Sequence, residues 1–166
     1  MTNTTEDLVT AEDKLKLLFP HRPWESEPDE AEWVDGDTGY KCRIKRNDST
    51  GTLCGYVGVP REHRLYGMDY QRAENGDNDF EVHGGLTFSG AMGEGDVYHF
   101  FGFDTAHAGD LSPGIVLSML KWLKEGDGAL GFYEAETYRT WDYVRMEVKR
   151  LASQLRYCDK GGNHVS

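Results

Sequence analysis

The chain has 166 residues, of which 38% are hydrophobic and 12% aromatic, and this is enough for one domain with a sizeable core. The net charge of −11 argues against direct binding to nucleic acid, because an acidic surface repels phosphates. The apolar runs are too short to span a bilayer, and the first residues lack the basic and apolar regions of a signal peptide. We therefore expect a cytoplasmic protein without membrane contact, whose three cysteines are reduced.

Residues 1–38 predict one short helix and then an irregular acidic segment. Thr10 and Asp13 have the spacing of a capping box, leucines follow them, and Pro20 ends the pattern. Residues 20–38 are rich in Pro, Glu and Asp, so we expect an irregular connection there.

A hairpin is expected next. From Tyr40 to Arg46 apolar residues alternate with basic ones, a turn composition follows, and residues 53–60 form a second apolar run. The lysines and arginines of the first strand would form a small basic patch or simply a solvated strand face. Residues 61–79 predict a polar loop.

Two further strands are expected over residues 80–89 and 97–104, joined by a loop at 90–96. The first alternates in polarity, which is typical of a strand with one buried face. The second is apolar on both faces, which is typical of a covered central strand. The predicted sheet therefore extends over residues 39–110.

Helices are expected over residues 111–157, with a tail at 158–166. Ser112 and Pro113 fit a helix start, and a later apolar stripe has helical spacing. The stripe consists of Trp141, Val144, Val148, Leu151 and Leu155. The order of elements predicts a single α+β domain over residues 1–166, with a small, mainly antiparallel sheet packed by a short N-terminal helix and by C-terminal helices.

The strongest group of candidate site residues consists of His83, Asp104, His107 and Asp110. If residues 80–89 pair with 97–104, the register decides whether a site exists. Pairing of residues whose numbers sum to 185 places His83 and Asp104 on one face, with Glu81 opposite Asp104. A sum of 186 turns Asp104 to the other face.

Two chemistries suit these four residues. Histidines and carboxylates can hold a divalent metal, and they can also form a metal-free acid–base pair in which an aspartate orients a histidine. The alternative is that Asp104 and Asp110 cap turns while the histidines bond backbone at strand ends, since Asp is favoured in turns for local reasons. Residues 83–85 (His-Gly-Gly) could also offer backbone N–H groups to a phosphate, provided that a cation offsets the surrounding negative charge.

Most of the negative charge lies in residues 67–110, which hold nine acidic residues and one basic residue. An acidic surface of this kind can occupy a basic groove of a partner protein. The candidate partner-binding residues are Asp77, Asp79, Glu94 and Asp96.

Several stretches resemble a family of small proteins that is common in bacteriophage and prophage genomes. They are Leu53-Cys-Gly-Tyr-Val-Gly-Val-Pro60, His63-Arg-Leu-Tyr-Gly67, Val82-His-Gly-Gly-Leu-Thr-Phe88, Gly102-Phe-Asp-Thr-Ala-His-Ala-Gly-Asp110 and Tyr138-Arg-Thr-Trp-Asp-Tyr-Val144. The likeness covers most of residues 24–157. It implies a phage setting, and hence the cytoplasm of an infected bacterial host, but it implies no reaction.

These observations favour a phage accessory protein that inhibits a bacterial defence system without catalysis. It would bind a host defence protein through its acidic surface or capture a small nucleotide-type ligand. The alternative is a small hydrolase, with or without a divalent metal, that uses His83, Asp104, His107 and Asp110. A third interpretation is a phage protein whose motifs serve only the fold.

Overall fold

The structure is a computed structural model that describes residues 9–74, 78–123 and 133–161. The described helices are α1 (Ala11–Leu18), α2 (Tyr70–Glu74), α3 (Pro113–Trp122) and α4 (Trp141–Asp159), with a short 3-10 turn at Pro23–Glu25. The described strands are β1 (Glu30–Val34), β2 (Lys41–Arg46), β3 (Leu53–Val59), β4 (Phe88–Gly90) and β5 (His99–Asp104).

The five strands form one antiparallel sheet in the order β1-β2-β3-β5-β4. The predicted α+β class is confirmed, as is the hairpin of β2 and β3. Strand β5 lies between β3 and β4, and its buried residues point to both faces, as the sequence predicts.

The main core lies between α4 and one face of the sheet. The apolar stripe predicted for this helix is buried against β2 and β3, and Val144, Val148 and Leu151 have no exposed surface. Gly55 makes this close packing possible, because a Cβ there would overlap both Phe103 and Val148. Helix α4 is therefore held firmly against the sheet over several turns.

A second, smaller core joins α1 to α3. Leu15 of α1 packs with Val116 and Leu120 of α3, and the predicted capping box between Thr10 and Asp13 is present. This unit also contacts the β2–β3 turn, where the Gly114 N–H donates to the Thr50 carbonyl.

The other face of the sheet is not covered by a helix in the part of the chain that the structure describes. The side chains of Lys41, Arg43 and Lys45 in β2 point to this face, where Lys41 and Arg43 both form ion pairs with Glu32 of β1. The expected basic patch is therefore largely a set of cross-strand ion pairs. Next to it the ring of Tyr56 lies over Gly102.

Three expectations are wrong. Residues 20–38 are not irregular throughout, because β1 pairs with β2 along the sheet edge. Its acidic residues at alternate positions hide the strand pattern, and the ion pairs of Glu32 stabilise it. Residues 61–79 are not simply a polar loop either, since they include α2 and the buried side chains of His63 and Leu65.

The third error concerns residues 80–89, of which only Phe88–Gly90 form a strand. Gly84 and Gly85 have φ values of +67° and +82°, which are incompatible with an extended strand. Strand β4 pairs with β5 so that Phe88 faces Gly102. The residue numbers of each pair therefore sum to 190, so both registers considered from the sequence, with sums of 185 and 186, are wrong.

Candidate active site at the amino end of helix α4

Three separate segments meet beside the first turns of α4. The loop at 82–87 carries His83, the loop after β5 ends at Asp110, and α4 carries Tyr143. Asp110 is placed by backbone pairing around Thr137, whose N–H donates to Gly109 and whose carbonyl accepts from Leu111. We call His83, Asp110, Arg139 and Tyr143 the histidine network.

His83 bridges a hydroxyl and a carboxylate. Its Nδ1 lies 2.8 Å from the Tyr143 hydroxyl oxygen, and its Nε2 lies 2.7 Å from Oδ2 of Asp110. The ring packs edge-on against the Tyr143 ring. The imidazole is therefore held at both nitrogens and in its plane.

Asp110 is the anchor of the network, with a side chain that is 1% exposed. Its Oδ1 accepts from Nε of Arg139 at 2.8 Å, and its Oδ2 also accepts from the His107 backbone N–H at 3.1 Å. Burial opposes ionisation of Asp110, but the hydrogen bonds from Arg139, His83 and His107 outweigh it and lower its pKa. Asp110 is therefore a carboxylate at neutral pH.

An ionised Asp110 sets the tautomer of neutral His83. A carboxylate only accepts hydrogen bonds, so the proton of the imidazole lies on Nε2. The lone pair of Nδ1 then accepts from the Tyr143 hydroxyl. Burial and the charge of Glu147 raise the pKa of Tyr143, so the phenol remains protonated until a base removes its proton.

His107 and Asp104 form a second pair at the edge of this network. Nε2 of His107 lies 3.0 Å from Oδ1 of Asp104, but the two groups are not aligned as a hydrogen bond. The His107 ring covers Gly84, where a Cβ would overlap it, and its centre is 5.8 Å from that of His83. The structure thus brings all four sequence-predicted site residues together, through two loops instead of paired strands.

Glu81 does not join this group. Its backbone N–H and carbonyl bond the Gln154 side chain, and its carboxylate lies 3.6 Å from Arg150. The proposed partnership of Glu81 with Asp104 is wrong, because it depended on a register that the sheet does not adopt.

The residues present fit a divalent metal poorly. Among the described residues no three His, Cys, Asp or Glu side chains converge as metal ligands. Both oxygens of Asp110 already accept hydrogen bonds, and the Arg139 guanidinium beside them repels a cation. The geometry therefore favours the acid–base interpretation over the metal interpretation.

The N–H groups of the His-Gly-Gly stretch are mostly occupied. The His83 N–H donates to Oε2 of the buried Glu147 at 3.0 Å, and the Gly85 N–H donates to Val82. Two of the three N–H groups expected to form a phosphate-binding nest are therefore used by the protein itself, and only the Gly84 N–H remains without an acceptor among the described residues. Glu147 in turn accepts from Arg150 at 2.9 Å.

A groove of about 460 Å³ lies beside α4. Arg150, which bonds Glu147, lines it together with Glu81 and the exposed Met146. The groove is therefore linked to the network through Glu147, which accepts from Arg150 and from the His83 backbone N–H.

The acidic candidates lie elsewhere. Asp79 and Glu94 are exposed, and Asp96 accepts from the Tyr98 N–H at 3.2 Å. Asp77 lies outside the described residues. Several other acids of residues 67–110 are used by the fold, as Asp110 is, so the free acidic surface is smaller than the sequence suggests.

Sequence reasoning missed Arg139, Tyr143 and Glu147. Tyr143 and Glu147 are four residues apart on α4, directly before Val144 and Val148 of the buried stripe. Polar residues repeated beside a buried stripe are a signal for a polar contact at the helix boundary. The partners of that contact could not be read from the spacing.

No protein-family model, curated protein or solved structure matches the chain. None of the described helices is both long enough and apolar enough to cross a membrane.

Proposed function

We propose that the protein is a small hydrolase in which His83 is a general base and the Tyr143 hydroxyl is the group that it deprotonates. The observation that carries this proposal is the chain of hydrogen bonds from Tyr143 through His83 to Asp110, at 2.8 and 2.7 Å. A hydroxyl, an imidazole and a buried carboxylate in this order are the parts of a nucleophile, its base and the group that orients the base.

Each member of the histidine network has a separate task. Asp110 keeps the proton of neutral His83 on Nε2 and stabilises the imidazolium that forms when Nδ1 takes the Tyr143 proton. Arg139 holds the carboxylate in place through its Nε. Burial by the surrounding chain keeps these charges in an environment where their interactions are stronger than in water.

The test is hydrolysis of three chromogenic esters: p-nitrophenyl acetate, p-nitrophenyl phosphate and bis(p-nitrophenyl) phosphate. We expect the wild-type protein to turn over at least one of them, and His83→Gln to lower that rate by about 10²–10⁴-fold, which is the usual contribution of a general base. His21→Gln is the matched control, because His21 is exposed and lies outside the network. The proposal fails if no ester is hydrolysed above the buffer rate, or if folded His83→Gln retains the wild-type rate.

We also propose a second candidate function, the non-enzymatic inhibition of a bacterial defence protein by a phage accessory protein. Two observations favour it: the resemblance of the sequence to phage proteins, and the exposure of Asp79 and Glu94 without an ion pair to any described residue. Such carboxylates can steer the protein to a basic groove and suppress binding to acidic partners.

Phage plating on bacteria that carry a defence system separates the two functions. If the acidic surface acts, expression of the protein raises the efficiency of phage plating. The combined change Asp79→Lys, Glu94→Lys and Asp96→Lys then removes this increase, and His83→Gln keeps it. If the hydrolase acts, His83→Gln removes the increase and the charge-reversed variant keeps it. Loss of the effect in folded His83→Gln with retention in the charge-reversed variant rejects the acidic-surface function.

A further inference from the structure

Arg139 presents its charged end beside the proposed nucleophile. Its Nε bonds Asp110, while neither terminal nitrogen has a hydrogen-bond acceptor among the described residues. The guanidinium lies over the Tyr143 ring, 5.0 Å from its centre, and the side chain is 28% exposed. Both terminal nitrogens of the guanidinium are therefore available as donors to an anionic group next to the Tyr143 side chain.

Gly84 supplies another unused donor at the same network. Its N–H has no acceptor among the described residues, and the residue itself is exposed. The His107 ring fills the space that a Cβ would occupy. The Gly84 N–H is therefore a donor that the described residues leave unused, beside the His107 ring.

The charge balance around these donors selects a monoanion. Arg139 offsets Asp110 and Arg150 offsets Glu147, but Asp104 beside His107 and Glu81 beside Arg150 add negative charge, so the surroundings of the donors are acidic within a chain of −11. A phosphate monoester carries about −1.5 to −2 at neutral pH, whereas a phosphodiester carries a single charge. One guanidinium end in this acidic protein fits the single charge better.

We infer that the substrate of this site is a phosphodiester, held by the terminal nitrogens of Arg139 and the Gly84 N–H; this rests on the proposed hydrolase function. The Tyr143 oxygen attacks phosphorus, its proton passes to Nδ1 of His83, and the leaving group departs in line as its oxyanion. Water then attacks phosphorus from the side opposite Tyr143 and gives one proton to that oxyanion through the solvent. The bond from phosphorus to the Tyr143 oxygen breaks and Tyr143 regains its proton from His83, so the products are an alcohol and a phosphate monoester.

The test compares bis(p-nitrophenyl) phosphate with p-nitrophenyl phosphate. We expect the diester to have a kcat/KM at least about 10-fold higher, which corresponds to about 1.4 kcal/mol. Arg139→Lys should raise KM for the diester more than it lowers kcat, because a lysine keeps the positive charge but cannot donate two parallel hydrogen bonds to the phosphate. Arg145→Lys is the matched control, since Arg145 also stacks on an aromatic ring, Trp33, at 5.4 Å, and should leave both constants unchanged.

A rapidly quenched reaction adds a direct chemical readout. Mass spectrometry should find Tyr143 carrying one p-nitrophenyl phosphate group, and this adduct should be absent in Tyr143→Phe. Hydrolysis of p-nitrophenyl acetate through Tyr143, without diester turnover or adduct, overturns the phosphodiester inference and leaves the hydrolase function standing. If the diester binds saturably and is recovered without hydrolysis, the hydrolase function and the reaction sequence are both rejected, and only a binding site for the diester remains.

Discussion

Two polar networks flank the start of α4, and they contain similar groups in different arrangements. The histidine network joins Tyr143 to Asp110 and Arg139 through His83. A second network, which we call the glutamate network, consists of Glu27, Arg46 and Tyr138, with no histidine. Both contain a tyrosine, a carboxylate and an arginine, so the comparison isolates what the imidazole adds.

The glutamate network has the features of a structural joint. The Tyr138 hydroxyl donates to Oε1 of Glu27 at 2.6 Å and accepts from Arg46 at 2.7 Å. Oε2 of Glu27 accepts from the Trp141 N–H at 2.7 Å and so satisfies a free donor at the first turn of α4. It ties the segment before β1 to the start of the helix.

The difference between the networks is the strength of the base. Proton transfer from an ordinary tyrosine to a glutamate is uphill by about 6 pKa units, and to a histidine by about 3.5. Burial and the hydrogen bond to Glu27 further raise the pKa of Tyr138. Only the histidine network therefore combines a hydroxyl with a base that is suited to neutral pH.

Matched tyrosine variants should show the largest difference between the two networks. Tyr143→Phe removes the proposed nucleophile, and we expect ester hydrolysis to fall by about 10²-fold or more. Tyr138→Phe should leave the rate within a factor of about two and lower the free energy of unfolding by about 1 kcal/mol, because a buried hydrogen bond to Glu27 is lost. Steady-state rates and urea unfolding of both variants check this, and equal rate losses in the two would contradict it.

Removing the buried carboxylate should have the next largest effect. Asp110→Asn leaves Arg139 without its anion and His83 without its orienting group, and we expect a loss of about 3 kcal/mol in the free energy of unfolding. Glu27→Gln should cost about 1 kcal/mol, because Glu27 is less buried and the amide oxygen can still accept hydrogen bonds. Urea denaturation measures both; a larger loss for Glu27→Gln would reverse the assignment of the anchor.

Alanine substitutions at two adjacent glycines, Gly84 and Gly85, test the position of the His107 ring. Alanine at Gly85 should cost about 1–2 kcal/mol for its left-handed backbone and little else, because no heavy atom lies near the added Cβ. Gly84→Ala carries the same backbone cost and also displaces the His107 ring. We expect it to be less stable than Gly85→Ala in thermal unfolding, and a smaller shift for Gly84→Ala would place His107 elsewhere.

The pH dependence of stability should be the smallest of these effects. The pKa of Asp110 is lower in the folded protein than its ordinary value of 3.8. Its contribution to stability is therefore full above pH 3.8 and is lost as the pH falls through the lower folded value. The difference in unfolding free energy between wild type and Asp110→Asn should therefore shrink as the pH falls from 5 to below 3.8. A constant difference would show that Asp110 does not act as a buried anion.

The main core could be predicted from the sequence because its pattern is local. The stripe from Val144 to Leu155 follows helical spacing, and the capping box at Thr10 needs only four residues. Strand β1 could not be predicted, since its alternate positions hold Glu30 and Glu32, whose favourable contacts come from the neighbouring strand.

The candidate site was only partly accessible for a similar reason. His83 and Asp110 attract attention as polar residues in Gly-rich surroundings, but their partners come from α4 and the residues just before it, 60 residues from His83 in the case of Tyr143. The predicted strand pairing failed because two left-handed glycines, Gly84 and Gly85, turn the chain before β4. The local spacing of residues in a single sequence does not indicate which distant segments will come into contact.

The central claim is that His83 keeps a lone pair on Nδ1 for the Tyr143 hydroxyl. Long-range ¹H–¹⁵N spectra of ¹⁵N-histidine-labelled protein at pH 8 measure this directly, with His83→Gln to assign the signals. We predict a proton on Nε2, facing Asp110, and an unprotonated Nδ1. A proton on Nδ1 would contradict the account, because His83 could then donate to Tyr143 but could not accept its proton.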